Sequence, residues 1–224
     1  MPSRIPPPAK AVTSDLLIEQ LASRLHPVGR RTPLRDAAVL AAIVAVELAL
    51  FLLMGGMRHN MHQALDQPSW WWKLGSMVAI ATAGMGSAII SLDPSRSPRP
   101  GLRATVLILL ACVALGWLLD SARYGLGPLV ERLNWRQGIG CVWKMSVLAI
   151  PTAIALGVLL NRGAPVDRGG TAWAAGIGAA ACGAFVFVFA CPSDDPLYIA
   201  VWYSVGLGLV SSSSQTILRM IARW

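Results

Sequence analysis

Thr171–Ala190 reads TAWAAGIGAAACGAFVFVFA, a run with no charge and no proline. A helix rises 1.5 Å per residue, so a run of about 20 residues covers the ~30 Å hydrocarbon layer of a bilayer. The run is continuously apolar rather than alternating, which suits a helix that satisfies its own backbone amides and does not suit a strand. Five further runs of the same kind lie at Asp36–Met57, Trp70–Leu92, Arg103–Asp120, Ile139–Leu160 and Leu197–Ile217. The expected fold class is therefore all-α: a polytopic integral membrane protein with six transmembrane helices in residues 36–221 and a short cytoplasmic amphipathic helix before them.

Composition agrees. Hydrophobic residues make up 55% of the chain and charged residues only 13%, against about 25% charged in soluble domains. The formal charge of +8 comes from basic residues at the span ends rather than on one face. That pattern reads as anchoring to the lipid bilayer, with no direct nucleic-acid partner. Residues 1–35 are polar and proline-rich, which is unlike a secretory leader. With the N-terminus in the cytoplasm, thirteen Lys and Arg fall on that side and six on the other. This asymmetry favours a cytoplasmic N-terminus, and an even number of spans returns residues 222–224 to the same side.

Residues 1–12, with Pro2, Pro6, Pro7 and Pro8, read as a disordered tail. In the segment 13–35, Thr13, Ser14 or Asp15 can cap a helix, and Leu17, Leu21 and Leu25 recur every four residues beside Ile18 and Ala22. Pro27 stops this helix. It is too short to be stable alone, so its leucines need a cover: the bilayer or bundle surface, or a groove on a cytoplasmic protein. The residues leave both open.

Within the spans, Gly170, Ala174, Gly178 and Cys182 fall at four-residue spacing and read as a close-packing stripe. Pro151 is expected to kink the fourth span. Glu47 is the one ionisable residue deep in a span, read as a structural or hydrogen-bonding group. Together with the glycine-rich spans it also raises an alternative, a small membrane transporter or channel. Leu126, Leu129, Val130 and Leu133 suit an interfacial turn, and Trp70–Trp72, Trp135 and Trp202 suit head-group anchors.

No catalytic residues and no cofactor are expected: the chain has no phosphate loop, no zinc-protease helix and no nucleophile with a partnered histidine. His59 and His62 read as solvated, and Asp194–Asp195 as a solvated turn between Pro192 and Pro196. Cys112 and Cys182 fall inside spans and behave as small hydrophobes. Cys141 begins the fourth span and Cys191 ends the fifth, which places both at the outer surface. There they could form a disulfide or bind a soft metal. Lys144, about a turn from Cys141, is expected to snorkel outward.

Several of these residues together resemble the NrsF family of six-helix bacterial membrane anti-sigma factors. The resemblance rests on Leu160-Asn161-Arg162-Gly163-Ala164-Pro165, the small-residue fifth span, Cys191-Pro192-Ser193-Asp194-Asp195-Pro196, Trp202-Tyr203 and Arg223-Trp224. It rests also on Leu16-Leu17-Ile18 through Leu25-His26-Pro27-Val28, and on Cys141 before a proline-containing span. It implies an inner-membrane protein that sequesters an extracytoplasmic-function sigma factor through Leu16, Leu17, Leu21, Leu25, Pro27 and Val28. It further implies release on an envelope signal, redox or thiophilic metal, sensed at Cys141 and Cys191. Cys112, Cys182 and Glu47 have no role in it.

Overall fold

The computed structural model describes residues 18–19, 22–23, 32–124, 132–163 and 165–221. The chain divides into two compact units, 1–32 and 33–224. In the first, the described residues Ile18, Glu19, Ala22 and Ser23 are helical. The expected contact residues Leu16, Leu17, Leu21, Leu25, Pro27 and Val28 lie outside the described residues, as do the tail 1–12, the interfacial positions 126, 129 and 130, and the C-terminal 222–224.

Among the described residues of the second unit, all regular structure is helical. In chain order the helices are α1 (Pro33–Leu53), α2 (Met61–Leu65), α3 (Pro68–Ile90), α4 (Arg99–Tyr124), α5 (Trp135–Leu148), α6 (Ile150–Arg162), α7 (Arg168–Val188) and α8 (Pro196–Ile221). Five of them (α1, α3, α4, α7 and α8) are long and apolar enough to cross a membrane, and the bent pair α5–α6 makes a sixth if counted as one span. Helix α4 overruns its apolar run at both ends, because helix ends are set by backbone hydrogen bonding and capping rather than by hydropathy.

Helix α7 is buried along most of its length, whereas α1 and α4 are buried hardly at all. Its composition explains this placement. A Cβ on Gly178 would sit 2.9 Å from the Met85 nitrogen of α3, and one on Gly84 would sit 2.8 Å from the Gly178 nitrogen. On another face, a Cβ on Gly176 would lie 2.8 Å from the Ser211 carbonyl of α8. Two turns further along that same face, a Cβ on Gly183 would lie 2.5 Å from the Ala149 nitrogen and 2.6 Å from the Met145 carbonyl. Glycines thus let three neighbours meet the α7 backbone directly, the close packing that small residues permit where water supplies no hydrophobic drive.

The expected kink is present and is a full break. Helices α5 and α6 meet at Ala149 with a bend of 41°. Pro151 has no N–H to offer the carbonyl four residues back, so the ladder is interrupted there. Helix α1 ends in a left-handed turn: Gly55 has φ +79°, with Gly55 N–H donating to the Leu52 carbonyl and Gly56 N–H to that of Phe51. This paired C-terminal motif turns the chain sharply, and the Arg58 N–H then donates to the Phe189 carbonyl at 3.1 Å.

Replacing Gly178 with valine should wedge α3 from α7 and cost roughly 1–3 kcal/mol, the usual penalty of overpacking. Gly86, where an added Cβ meets nothing within 4 Å, should accept alanine without loss. Thermal unfolding of the two variants in the same detergent checks both.

Candidate functional site

Where α7 ends and α8 begins, the chain forms a short connection held by charge. The Ala190 and Cys191 N–H groups both donate to the Phe187 carbonyl at 3.0 Å, and Pro192 then bars a further helical turn. Asp195 caps α8: its carboxylate accepts from the N–H groups of Leu197 at 2.9 Å and Tyr198 at 3.4 Å, with Pro196 in the first helical position that suits proline.

Asp194 and Asp195, expected as a solvated turn, are instead half-buried and held in ion pairs. Arg58 grips Asp194 with two parallel bonds, Nη1 to Oδ1 at 2.8 Å and Nη2 to Oδ2 at 2.6 Å, and its Nη1 also donates to the Cys191 carbonyl at 3.0 Å. Arg132 holds Asp195 through Nε at 2.8 Å and Nη2 at 2.6 Å, and it also pairs with the buried Asp120 at the end of α4. Partial burial is the reason. A carboxylate removed from water is tolerated when paired and hydrogen-bonded.

Lys73, on α3, is the least expected member. Its side chain is fully buried, and Nζ donates to the Ser193 carbonyl at 3.1 Å with Asp194 Oδ1 at 3.8 Å. Lys144, the lysine near Cys141 in sequence, is exposed. The buried cation beside the thiols comes instead from a helix far away in sequence.

Cys141 and Cys191 are both buried, both present as thiols, and belong to one packed cluster with Tyr198, Tyr203 and Trp202. Cys141 Sγ lies 3.2 Å from Tyr198 Oη, and Cys191 Sγ lies 3.8 Å from the Ser193 carbonyl. Tyr203 Oη is buried beside Cys191 but falls short of a well-formed hydrogen bond. The Cys141 thiol is the main influence pulling the Cys191 pKa down, to about 6; the Lys73 ammonium and the Ser193 backbone add to it, and burial opposes them. Cys141 is placed by a stripe of α5. Gly138, one turn earlier, abuts the Trp202 ring, Met145, one turn later, abuts Gly206, and Trp202 Nε1 donates to the Leu133 carbonyl at 2.7 Å.

Other expected residues fall elsewhere. His59 and His62 are exposed, and among the described residues no three of His, Cys, Asp and Glu come together as metal ligands. Trp70 and Trp202 are packing residues rather than surface anchors. Trp70 is buried edge-on against Phe189 with centroids 6.2 Å apart, and Trp202 is buried edge-on against Trp135 at 5.4 Å. Lys73, Arg58, Tyr198 and Tyr203 were not singled out from the sequence as site residues. Lys73 does leave a trace there, as a charge three residues into an otherwise apolar run.

Two buried thiols in one cluster, one of them drawn toward thiolate by the other and by a neighbouring ammonium, can be joined by a two-electron oxidant or can hold a thiophilic ion between them. Either event would act on the connection between α7 and α8.

Comparison with known proteins adds the following. A family model described as negative regulator of sigma F, NrsF, matches residues 21–224. The anti-sigma-F factor NrsF of Caulobacter vibrioides is 27% identical over 217 residues, covering 94% of this chain and 99% of that protein. A protein of Azospira oryzae described as a probable anti-sigma-F factor NrsF is 27% identical over 182 residues, 78% of this chain and 82% of its own length. No solved structure matches.

Changing Lys73 to methionine removes a cation that favours the Cys191 thiolate, so the pH midpoint of that thiol should rise by about one pH unit or more. The lowest-titrating component of the ultraviolet thiolate absorbance reports it. An unmoved midpoint would show that Lys73 does not act on Cys191.

Proposed function

The chain belongs to the NrsF family, and on that premise we propose that it is a membrane-bound anti-sigma factor of the bacterial inner membrane. The observation that carries this reading is the family match, which runs from residue 21, within the amphipathic segment, through the whole helical bundle. The activity is regulatory rather than enzymatic. The partner is a sigma factor of the extracytoplasmic-function class, held at the membrane and so kept from RNA polymerase.

The contact is the cytoplasmic segment 13–35. Leu16, Leu17, Leu21, Leu25, Pro27 and Val28 present the apolar stripe that docks into a groove on the sigma factor, the helix-in-groove mode of recognition. Both termini face the cytoplasm, which follows from the thirteen-to-six distribution of Lys and Arg.

The signal is received at the outer surface of the membrane, by Cys141 and Cys191. Oxidation of the pair, or capture of a thiophilic ion, changes the packing at the α7–α8 connection. Helix α7 meets three neighbours through its backbone, so a shift at one end is carried to the other. A change of a few kcal/mol between two packings is enough to redistribute bound and free sigma factor.

Two tests separate these parts. Detergent-solubilised protein drawn from its native host should carry a sigma factor, and a Leu17→Asp/Leu21→Asp double variant should lose it by at least about tenfold, since each buried leucine contributes about 1.5–3 kcal/mol. A Cys141→Ser/Cys191→Ser variant should still hold the sigma factor and no longer release it on oxidant or heavy-metal challenge. Normal induction in that variant would remove the sensor while leaving the anti-sigma role standing.

A further inference from the structure

Well inside the bundle, four helices bring together a group of side chains that the proposed regulation does not use. Glu47 of α1 has both carboxyl oxygens buried with no hydrogen-bond partner. Cys182 of α7 is buried, and its thiol points at the thioether of Met85 on α3, with Sγ to Sδ 3.6 Å. Thr152 of α6 is fully buried; its hydroxyl lies beside the Cys182 thiol without forming a proper hydrogen bond, so it too has no partner. Glu47 lies within electrostatic reach of the same thiol. Cys182 lies six residues before the end of α7 at Val188, about 9 Å along the axis at 1.5 Å per residue, and Cys191 lies beyond that end in the connection, so this is a separate location from the thiol pair.

The chemistry of these groups is mismatched to a purely structural role. An ionised carboxylate with no partner is very costly in a low-dielectric interior, and the group either keeps a proton or takes a cation. An unpartnered buried hydroxyl beside a thiol and a thioether, with an unpartnered carboxyl in electrostatic reach, makes an incomplete set of donors. Thiolate and thioether together are the pair that selects soft univalent ions of the copper(I) type, whereas hard ions require oxygen alone. Two sulfurs 3.6 Å apart can both reach one ion at about 2.3 Å, the usual metal–thiolate length. A single univalent ion is also what one displaced proton can balance.

We infer that Cys182 and Met85, with Thr152 beside them and Glu47 in reach, form an intramembrane binding site for a soft univalent metal ion such as copper(I). Binding is an electroneutral exchange. The Cys182 S–H bond breaks, a metal–sulfur bond forms, Met85 supplies the second sulfur through a lone pair, and one proton leaves by way of the Glu47 carboxyl. No electron is transferred.

Silver(I) is the probe, since it shares the ligand preference and undergoes no redox chemistry with the buffer. Full-length protein in detergent, with Cys112, Cys141 and Cys191 changed to serine, should bind one silver ion by equilibrium dialysis and release one proton per ion. Cys182→Ser should abolish this binding, and Met85→Leu, of similar volume, should weaken it by about tenfold or more. Glu47→Gln should leave the end-point affinity intact and slow uptake, a kinetic effect that a merely structural carboxyl would not produce. If the triple-serine background does not fold, the same comparison in the chain with all cysteines reads the loss of one equivalent from the total. No bound silver, or silver held equally well without Cys182 and without Met85, overturns the site; unchanged uptake in Glu47→Gln removes the proton route.

Discussion

Backbone-to-backbone contact at α7 is the constraint from which the remaining architecture follows. A helix with leucines at the positions of Gly176, Gly178 and Gly183 would hold α8, α3 and α5 apart. Without them, three neighbours meet one axis and most of its length is buried. Dispersion and backbone dipoles then supply what hydrophobic burial cannot supply between helices already surrounded by apolar groups. The break at Ala149 belongs to the same arrangement. The interrupted turn of α5–α6 lies against Gly183, where no side chain stands in its way.

Tight packing at the axis leaves the charged groups to one end. Arg58, Lys73 and Arg132 arrive from separate elements and converge on Asp194, Asp195 and Asp120 around a single connection. Each charge is partly or wholly out of water, so each one requires its partner; removing one member would strand another. The thiols sit directly beside this network. Lys73 is the link between the two, since the same ammonium that binds the Ser193 carbonyl also favours the Cys191 thiolate.

Much of this was legible in the residues, and what was not has a common cause. The apolar runs gave the helices, Pro151 gave the break, and the small residues of the fifth run gave the close-packed face, because each signal is local. Counting spans placed Cys141 and Cys191 at one end, since parity needs no knowledge of packing. The pairing of Lys73 with Ser193 and of Arg58 with Asp194 spans more than a hundred residues, and no periodicity encodes it. Without those partners, Asp194 and Asp195 between two prolines looked like an ordinary exposed turn. Trp70 and Trp202 looked like interfacial anchors for a similar reason: an aromatic at a span end gives no sign of which way it faces. The set around Cys182 stayed hidden because its four members lie on four separate helices.

The long sequence separation between Lys73 and its partners has a consequence for how the chain is made. At 5–20 residues per second, the ribosome reaches Ser193 and Asp194 on the order of ten seconds after Lys73. Through that interval α3 carries an ammonium with no acceptor to receive it. The helix must keep that end near the aqueous boundary until the last connection emerges. Assembly of this end therefore waits on α8, and a chain cut short before Asp194 leaves a newly inserted helix with a stranded cation. Quality-control proteases would meet such a fragment as an unfinished membrane protein, so the charge that completes the mature bundle also marks the incomplete one.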